Sequence, residues 1–224
     1  MLVGCINGCK EQDTEYTDEE LVNPESVMAY EENDTLVLRK IPPGLQEWLG
    51  YYGRLDKEFQ LRNFKASGIS LHLDSLPDAL SKGNENAFKD LFSYSSDSMK
   101  YIDLFSYTYL KEGGNSKPVL ISGDPDQQVV IADSKNRLKK QLMYHGPTQL
   151  AEIADWTTNE SFLIGFTSRI EGHPGLQAEI YFFNLKDSSF TNFLLNHNIP
   201  DDSLRHSPGG FLESYFRKKN YQVK

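Results

Sequence analysis

The sequence predicts an α+β fold, mainly β, in which antiparallel sheets from two successive meanders carry helices packed on them near both ends of the chain. Three observations predict it. Between Phe92 and Leu195 one pattern runs twice: an aromatic with a polar turn (Tyr94-Ser-Ser-Asp97, then Trp156-Thr-Thr-Asn159), an apolar strand (101–110, then 162–167), a loop, and a hairpin. The hairpins pair 128–133 with 137–144 and 179–184 with 189–195, each turning over Ser, Lys, Asn or Asp. Short β-rich runs punctuated by such residues indicate antiparallel strands. On either side of this stretch, apolar residues recur at helical spacing instead.

The elements follow in chain order. Residues 1–22 are expected to be a tether, and 23–224 one mainly β domain: a helical N-terminal part (23–91), the meanders (92–195) and a C-terminal helix region (196–224). Asn23-Pro24-Glu25 supplies a cap, a proline at the first helical position and an acid in the first turn, which predicts a short helix over 24–32. A short strand is expected over 35–40, ended by Pro42-Pro43. Leu45, Trp48, Leu49, Tyr52 and Leu55 then form an apolar helical stripe, with Trp48 in the core. Ile69, Leu71 and Leu73 alternate with Ser70, His72 and Asp74, a half-buried strand whose His72 and Asp74 share the outer face without a nucleophile beside them. A loop is expected over 76–86 and a helical turn over 87–92.

In the first meander, strand 101–109 is apolar on both faces and so reads as a central strand. Asp103 lies among its aromatics, where a carboxylate must find hydrogen-bond donors or take up a proton. Ser122-Gly-Asp124-Pro-Asp126 is the densest acidic loop. It lacks the ladder of oxygen ligands of a calcium loop, and reads as a turn whose Asp side chains bond their own backbone. The histidines have no metal-ligand spacing, and no cofactor or metal is expected. After the second meander, Ser207-Pro208 precedes a helix over 209–220, with Phe211, Leu212, Tyr215 and Phe216 on one side. Arg217-Lys218-Lys219 lies in its last turn, a solvated charge run that suits the helix dipole.

Charge is uneven. Residues 11–34 hold ten acids and no Lys or Arg, which leaves 22 acids against 23 basic residues elsewhere. The formal charge of −9 therefore belongs to the N-terminal segment. A near-neutral body gives no basic footprint for DNA or RNA, and a nucleic-acid partner is not expected.

Both cysteines, Cys5 and Cys9, fall in the first nine residues, which excludes a core disulfide. Leu2-Val3-Gly4-Cys5 and Ile6-Asn7-Gly8-Cys9 resemble the lipobox of bacterial lipoproteins, and Lys10-Glu11-Gln12-Asp13 resembles the acidic export signal of Bacteroidota envelope lipoproteins. The resemblance implies a lipid on Cys9 (alternatively Cys5), and a place at the outer membrane on its periplasmic or surface face. Neither Cys follows a charged n-region and a full apolar run, so the expectation includes a start upstream of Met1. The repeated meander resembles a β-propeller blade, although two blades do not close a ring.

The function expected from these readings is a non-enzymatic, lipid-anchored envelope protein that binds a protein or glycan partner, touching the membrane only through its lipid. Trp156 is a candidate binding aromatic. The first alternative is a carboxylate-dependent hydrolase using Asp103, Asp124 and Asp126. The second is a cytoplasmic structural or interaction protein.

Overall fold

The two repeated segments fold as two antiparallel sheets in a computed structural model that describes residues 28–30, 35–71, 75–83, 85–113, 117–200 and 210–224. The fold is α+β and mainly β. The first meander supplies β4 (Ser93–Tyr94), β5 (Lys100–Asp103), β8 (Gln127–Asp133) and β9 (Leu138–His145), in that spatial order. The second supplies β10 (Gln149–Trp156), β11 (Ser161–Ser168), β12 (Gln177–Asn184) and β13 (Ser189–Leu195), extended at the β13 edge by β3 (Phe64–Leu71). Both hairpins turn where Asn, Asp and Ser predict. Asp133 accepts from the amides of Lys135 and Asn136, and Asn184 from that of Lys186, so each turn is closed by its own side chain.

Four details differ from expectation. The run 101–110 is not one strand. Asp103 accepts from the amides of Phe105 and Ser106, and the amide of Tyr109 donates to Phe105 O, so a turn interrupts the run. Local side-chain bonding of this kind competes with the strand ladder. The continuation, β6 (Tyr109–Glu112), leaves for a separate small sheet with β7 (Val119–Ser122) and a parallel C-terminal strand β14 (Gln222–Val223). The central strand buried on both faces is instead β11, where every residue is buried.

Second, Trp156 does not open its meander; it ends β10, a strand the sequence does not announce. Leu150, Ala151, Glu152 and Ala154 favour helix, yet between β11 and the first sheet this segment pairs along β11 from Gln149 to Trp156. Third, Met28–Tyr30, inside the expected helix 24–32, is strand β1, paired with β2 (Leu36–Leu38). Cross-strand partners at Met28↔Leu38 and Tyr30↔Leu36 satisfy its backbone in place of a helix ladder. The rest of that helix lies outside the described residues. Fourth, the strand expected from Ile69 begins earlier, at Phe64.

The helices sit where the periodicity puts them. Helix α1 (Pro43–Tyr52) has proline at its start and buries Leu45, Trp48 and Tyr52 against β10 and β11. Its N-cap, Pro42, makes no side-chain bond. The carboxylate of Asp155 on β10 caps it instead, accepting from the amides of Gly44 (2.6 Å) and Leu45 (3.2 Å). That places negative charge at the positive end of the helix dipole. Helix α2 (Gly210–Lys218) buries Phe211, Leu212 and Phe216. One apolar cluster runs from Leu36 through the sheets to Tyr221.

The two sheets adjoin along the free edge of β10. There the Gln127 side chain stands in for a strand, donating to Ala151 O (2.9 Å) and accepting from Ala151 N (2.6 Å). Trp156 Nε1 donates to Ser93 O on β4. The two aromatic turns also meet: Ser96 and the amide of Asp97 donate to Asn159 Oδ1, and Lys100 pairs with Glu160 at 2.7 Å. The repeat in the sequence thus brings its own two copies together.

Candidate functional site

The acidic loop between β7 and β8 behaves as a self-bonded turn and something more. Asp124 Oδ1 accepts from the amide of Asp126 (3.1 Å), the expected Asp turn. Its other oxygen takes Lys82 Nζ at 2.8 Å, and that ammonium holds the Asp124 carboxyl below the usual carboxylate range. Lys82 also stands over the ring of Tyr107, 3.9 Å from its centre. Asp126 Oδ2 accepts from the Tyr144 hydroxyl at 3.1 Å, and the hydroxyls of Tyr144 and Tyr107 are 3.3 Å apart. The bond with Tyr107 first, then burial and the Asp126 carboxylate, push the Tyr144 hydroxyl well above the ordinary phenol value.

Four separated segments contribute to this cluster. Lys82 comes from the strap before β4, which is pinned across β9 by the Asp78–Lys140 ion pair and by Gln128 bonding both backbone groups of Leu80. Tyr107 comes from the turn that Asp103 creates, Asp124 and Asp126 from the acidic loop, and Tyr144 from the end of β9. The sequence singles out only the two acids. Lys82, Tyr107 and Tyr144 carry no local signal, because their meeting depends on the strap crossing the sheet.

Asp103 does not join them. It is 4 % exposed, and both of its oxygens are occupied within its own turn: Oδ1 by the amides of Phe105 and Ser106 (3.0 Å each), Oδ2 by the Ser106 hydroxyl. Burial raises its pKa, and these bonds oppose the rise. The carboxyl therefore holds its proton more tightly in the folded chain than in the unfolded one, where about 3.9 is usual. Its contribution to stability falls as pH rises through the interval above that value. Asp103→Asn keeps an oxygen for both amides and removes the titration. The stability of wild type relative to Asp103→Asn, from urea titrations, is expected to decrease as pH rises across that interval. A difference that stays flat would mean Asp103 titrates like a surface carboxylate.

Trp156 is half-buried, its indole N–H bonded to Ser93 O and its ring tilted on Phe162 with centres 4.9 Å apart. This arrangement joins the sheets rather than presenting a free ring. Cys5, Cys9, His72 and Asp74 lie outside the described residues. Among the described residues no three His, Cys, Asp or Glu side chains converge on a metal-sized site, and no helix is long and apolar enough to cross a membrane.

A second group of carboxylates lies on β10 and was not singled out in the sequence. Glu152, fully buried, falls in the register shift between Ala151 and Ile153 and turns towards α1. It accepts from Trp48 Nε1 (2.7 Å) and from the Tyr52 hydroxyl (2.9 Å). Burial, and then the Glu152 charge, push the Tyr52 hydroxyl well above its ordinary pKa. With Asp155 at the N-terminus of α1, two acids of one strand fix both the start and the middle of the helix.

Comparison with protein-family models, with curated proteins and with solved structures found no match.

Proposed function

We propose that the protein is a non-enzymatic, lipid-anchored protein of the cell envelope that binds a glycan at the Tyr144 cluster. The observation that carries the reading is Tyr144 itself. The residue is 44 % exposed, while its hydroxyl is held by Asp126 and Tyr107. A sugar offers an apolar C–H face, which packs on such a ring, and hydroxyls that need donors and acceptors together. Lys82 supplies donors, Asp124 and Asp126 supply acceptors, and their mutual bonds fix them before a ligand arrives, which lowers the ordering cost of binding.

Binding is favoured over hydrolysis because Asp103, the third candidate acid, bonds only within its own turn. Asp124 and Asp126 remain, engaged by Lys82 and Tyr144. The anchor reading rests on the Gly4-Cys5 and Gly8-Cys9 pairs and the acidic stretch behind them. It is tested by fractionating cells that express the chain behind a complete signal peptide, with and without Cys5→Ala and Cys9→Ala.

Titration of soluble oligosaccharides against the full chain tests the binding site. Tyr144→Ala is expected to weaken binding at least tenfold, about 1.4 kcal/mol, with Tyr144→Phe in between. Unchanged affinity in Tyr144→Ala would remove the site. Release of reducing ends by wild type, lost in Asp126→Asn, would replace binding with hydrolysis.

A further inference from the structure

A groove of about 710 Å³ runs between α1 and α2, away from the Tyr144 cluster. Lys218 pairs with Glu47 (2.9 Å), while Phe211 touches Tyr51 with ring centres 5.7 Å apart. The helices therefore run in opposite directions. The α1 wall is one helical stripe that starts at Pro43 and ends at Arg54, just past the helix. Eleven residues at helical rise make it about 16 Å long.

The charge of the groove is opposite to that of the chain. Arg54, Arg217 and Lys218 line the groove and Glu47 is the one acid among them, in a protein of net charge −9. Among the described residues Arg54 makes no ion pair; its guanidinium lies 5.7 Å from the Tyr51 ring centre. Arg217 and Lys218 do have partners, Glu213 and Glu47, yet both cations are more than two-thirds exposed. Exposed pairs of this kind contribute little and yield readily to a better-placed carboxylate. The cations thus stand at the two ends of the groove. Glu47, which marks the Lys218 end, is seven helical residues from Arg54, or about 10 Å.

The floor is open at Gly50. A Cβ built there would meet no atom within 4 Å. A glycine inside a helix costs about 1 kcal/mol relative to alanine, and here its effect is to leave room. Tyr51 is partly exposed, with Arg54 near its ring and the rings of Tyr52 and Phe211 standing at steep angles to it. Gln46 and Ser214, on facing walls, offer side-chain donors and acceptors suited to a peptide backbone.

The geometry points to an acidic, extended segment of a partner protein as the ligand of this groove, with two carboxylates three residues apart. In a polyproline II conformation, which turns once in three residues and rises about 3.1 Å per residue, the two carboxylates share one face about 9 Å apart, close to the ~10 Å of helix from Glu47 to Arg54. One carboxylate takes the Arg54 guanidinium in a forked pair. The other displaces Glu47 from Lys218, with Arg217 beside it, and the intervening backbone lies over Gly50.

The probe is a fluorescein-labelled peptide carrying Glu-Ala-Ala-Glu, titrated with the full chain and read by anisotropy. Its controls carry Gln-Ala-Ala-Gln and Ala-Glu-Glu-Ala. The acidic, correctly spaced probe is expected to bind at least tenfold more tightly than either control, and more weakly as salt is raised. Arg54→Gln and Gly50→Leu are each expected to weaken it at least tenfold, and Gly50→Leu does so while holding or raising the melting temperature, since leucine is the better helix former. Equal binding of the Gln control, or full binding by Gly50→Leu, would overturn the proposal. So would a probe that binds only a full-length variant whose acids at 11–20 are changed to amides, because the groove would then belong to the chain's own acidic segment.

Discussion

Trp48→Ala is expected to lower the unfolding free energy by roughly 3–5 kcal/mol, the cost of a large-to-small change in a packed core. Trp48 is fully buried and meets the rings of Tyr52, Phe59 and Phe64 at 5.6, 5.0 and 6.1 Å. The neighbouring strand has been cut back to receive it: a Cβ on Gly165 would lie 3.2 Å from two indole carbons. No side chain at that position can swing in to fill the space the indole leaves. The substitution also takes one donor from the buried Glu152 carboxylate, and buried groups that lose a partner cost about 1–3 kcal/mol. Against the roughly 5–15 kcal/mol that holds a domain together, the loss is large. Urea denaturation reads it as a fall in midpoint at constant slope. A midpoint equal to that of wild type would show that the core does not depend on this ring.

Glu152→Leu is expected to have the next largest effect. Its carboxylate accepts from both Trp48 Nε1–H and the Tyr52 hydroxyl. Leucine fills the volume and accepts nothing, so each donor stands to lose about 1–3 kcal/mol. Glu152→Gln, which keeps one acceptor oxygen, should lose less. The two sites touch, so their effects should not add. In Trp48→Phe, where no indole N–H remains, Glu152→Leu should cost about 1 kcal/mol less than in wild type. Strict additivity in that double-mutant cycle would mean the indole–carboxylate bond contributes nothing to stability.

The candidate site was legible only in part. Asp124 and Asp126 stand out because two acids share a Gly/Pro turn, and that turn closes on itself as its composition requires. Asp103 is recognisable as a carboxylate among aromatics that needs donors. Its donors, though, are the amides it captures by breaking its own strand, and this removes it from the other two acids. Lys82, Tyr107 and Tyr144 are legible nowhere, since each is an ordinary residue of a loop, turn or strand end. What makes them a cluster is the strap that Asp78, Gln128 and Lys140 hold across the first sheet.

By itself the sequence determined the elements whose evidence is local. The hairpins β8–β9 and β12–β13 follow from alternating apolar runs joined by residues that bond their own turn. Helices α1 and α2 follow from stripes at helical spacing, with proline at the start of one and cations at the end of the other. Tertiary structure alone decided whatever depends on partners far along the chain. The segment Gln149–Trp156 favours helix on propensity, yet it is a strand, because β11 offers a ladder broken only at Glu152 and Gln127, Ser93 and α1 take up its other groups. The bonds from α1 to Glu152 and Asp155 join residues 100 to 111 positions apart. No window of sequence contains both partners, and propensities worth a few tenths of a kcal/mol per residue yield to a buried carboxylate that must find its donors.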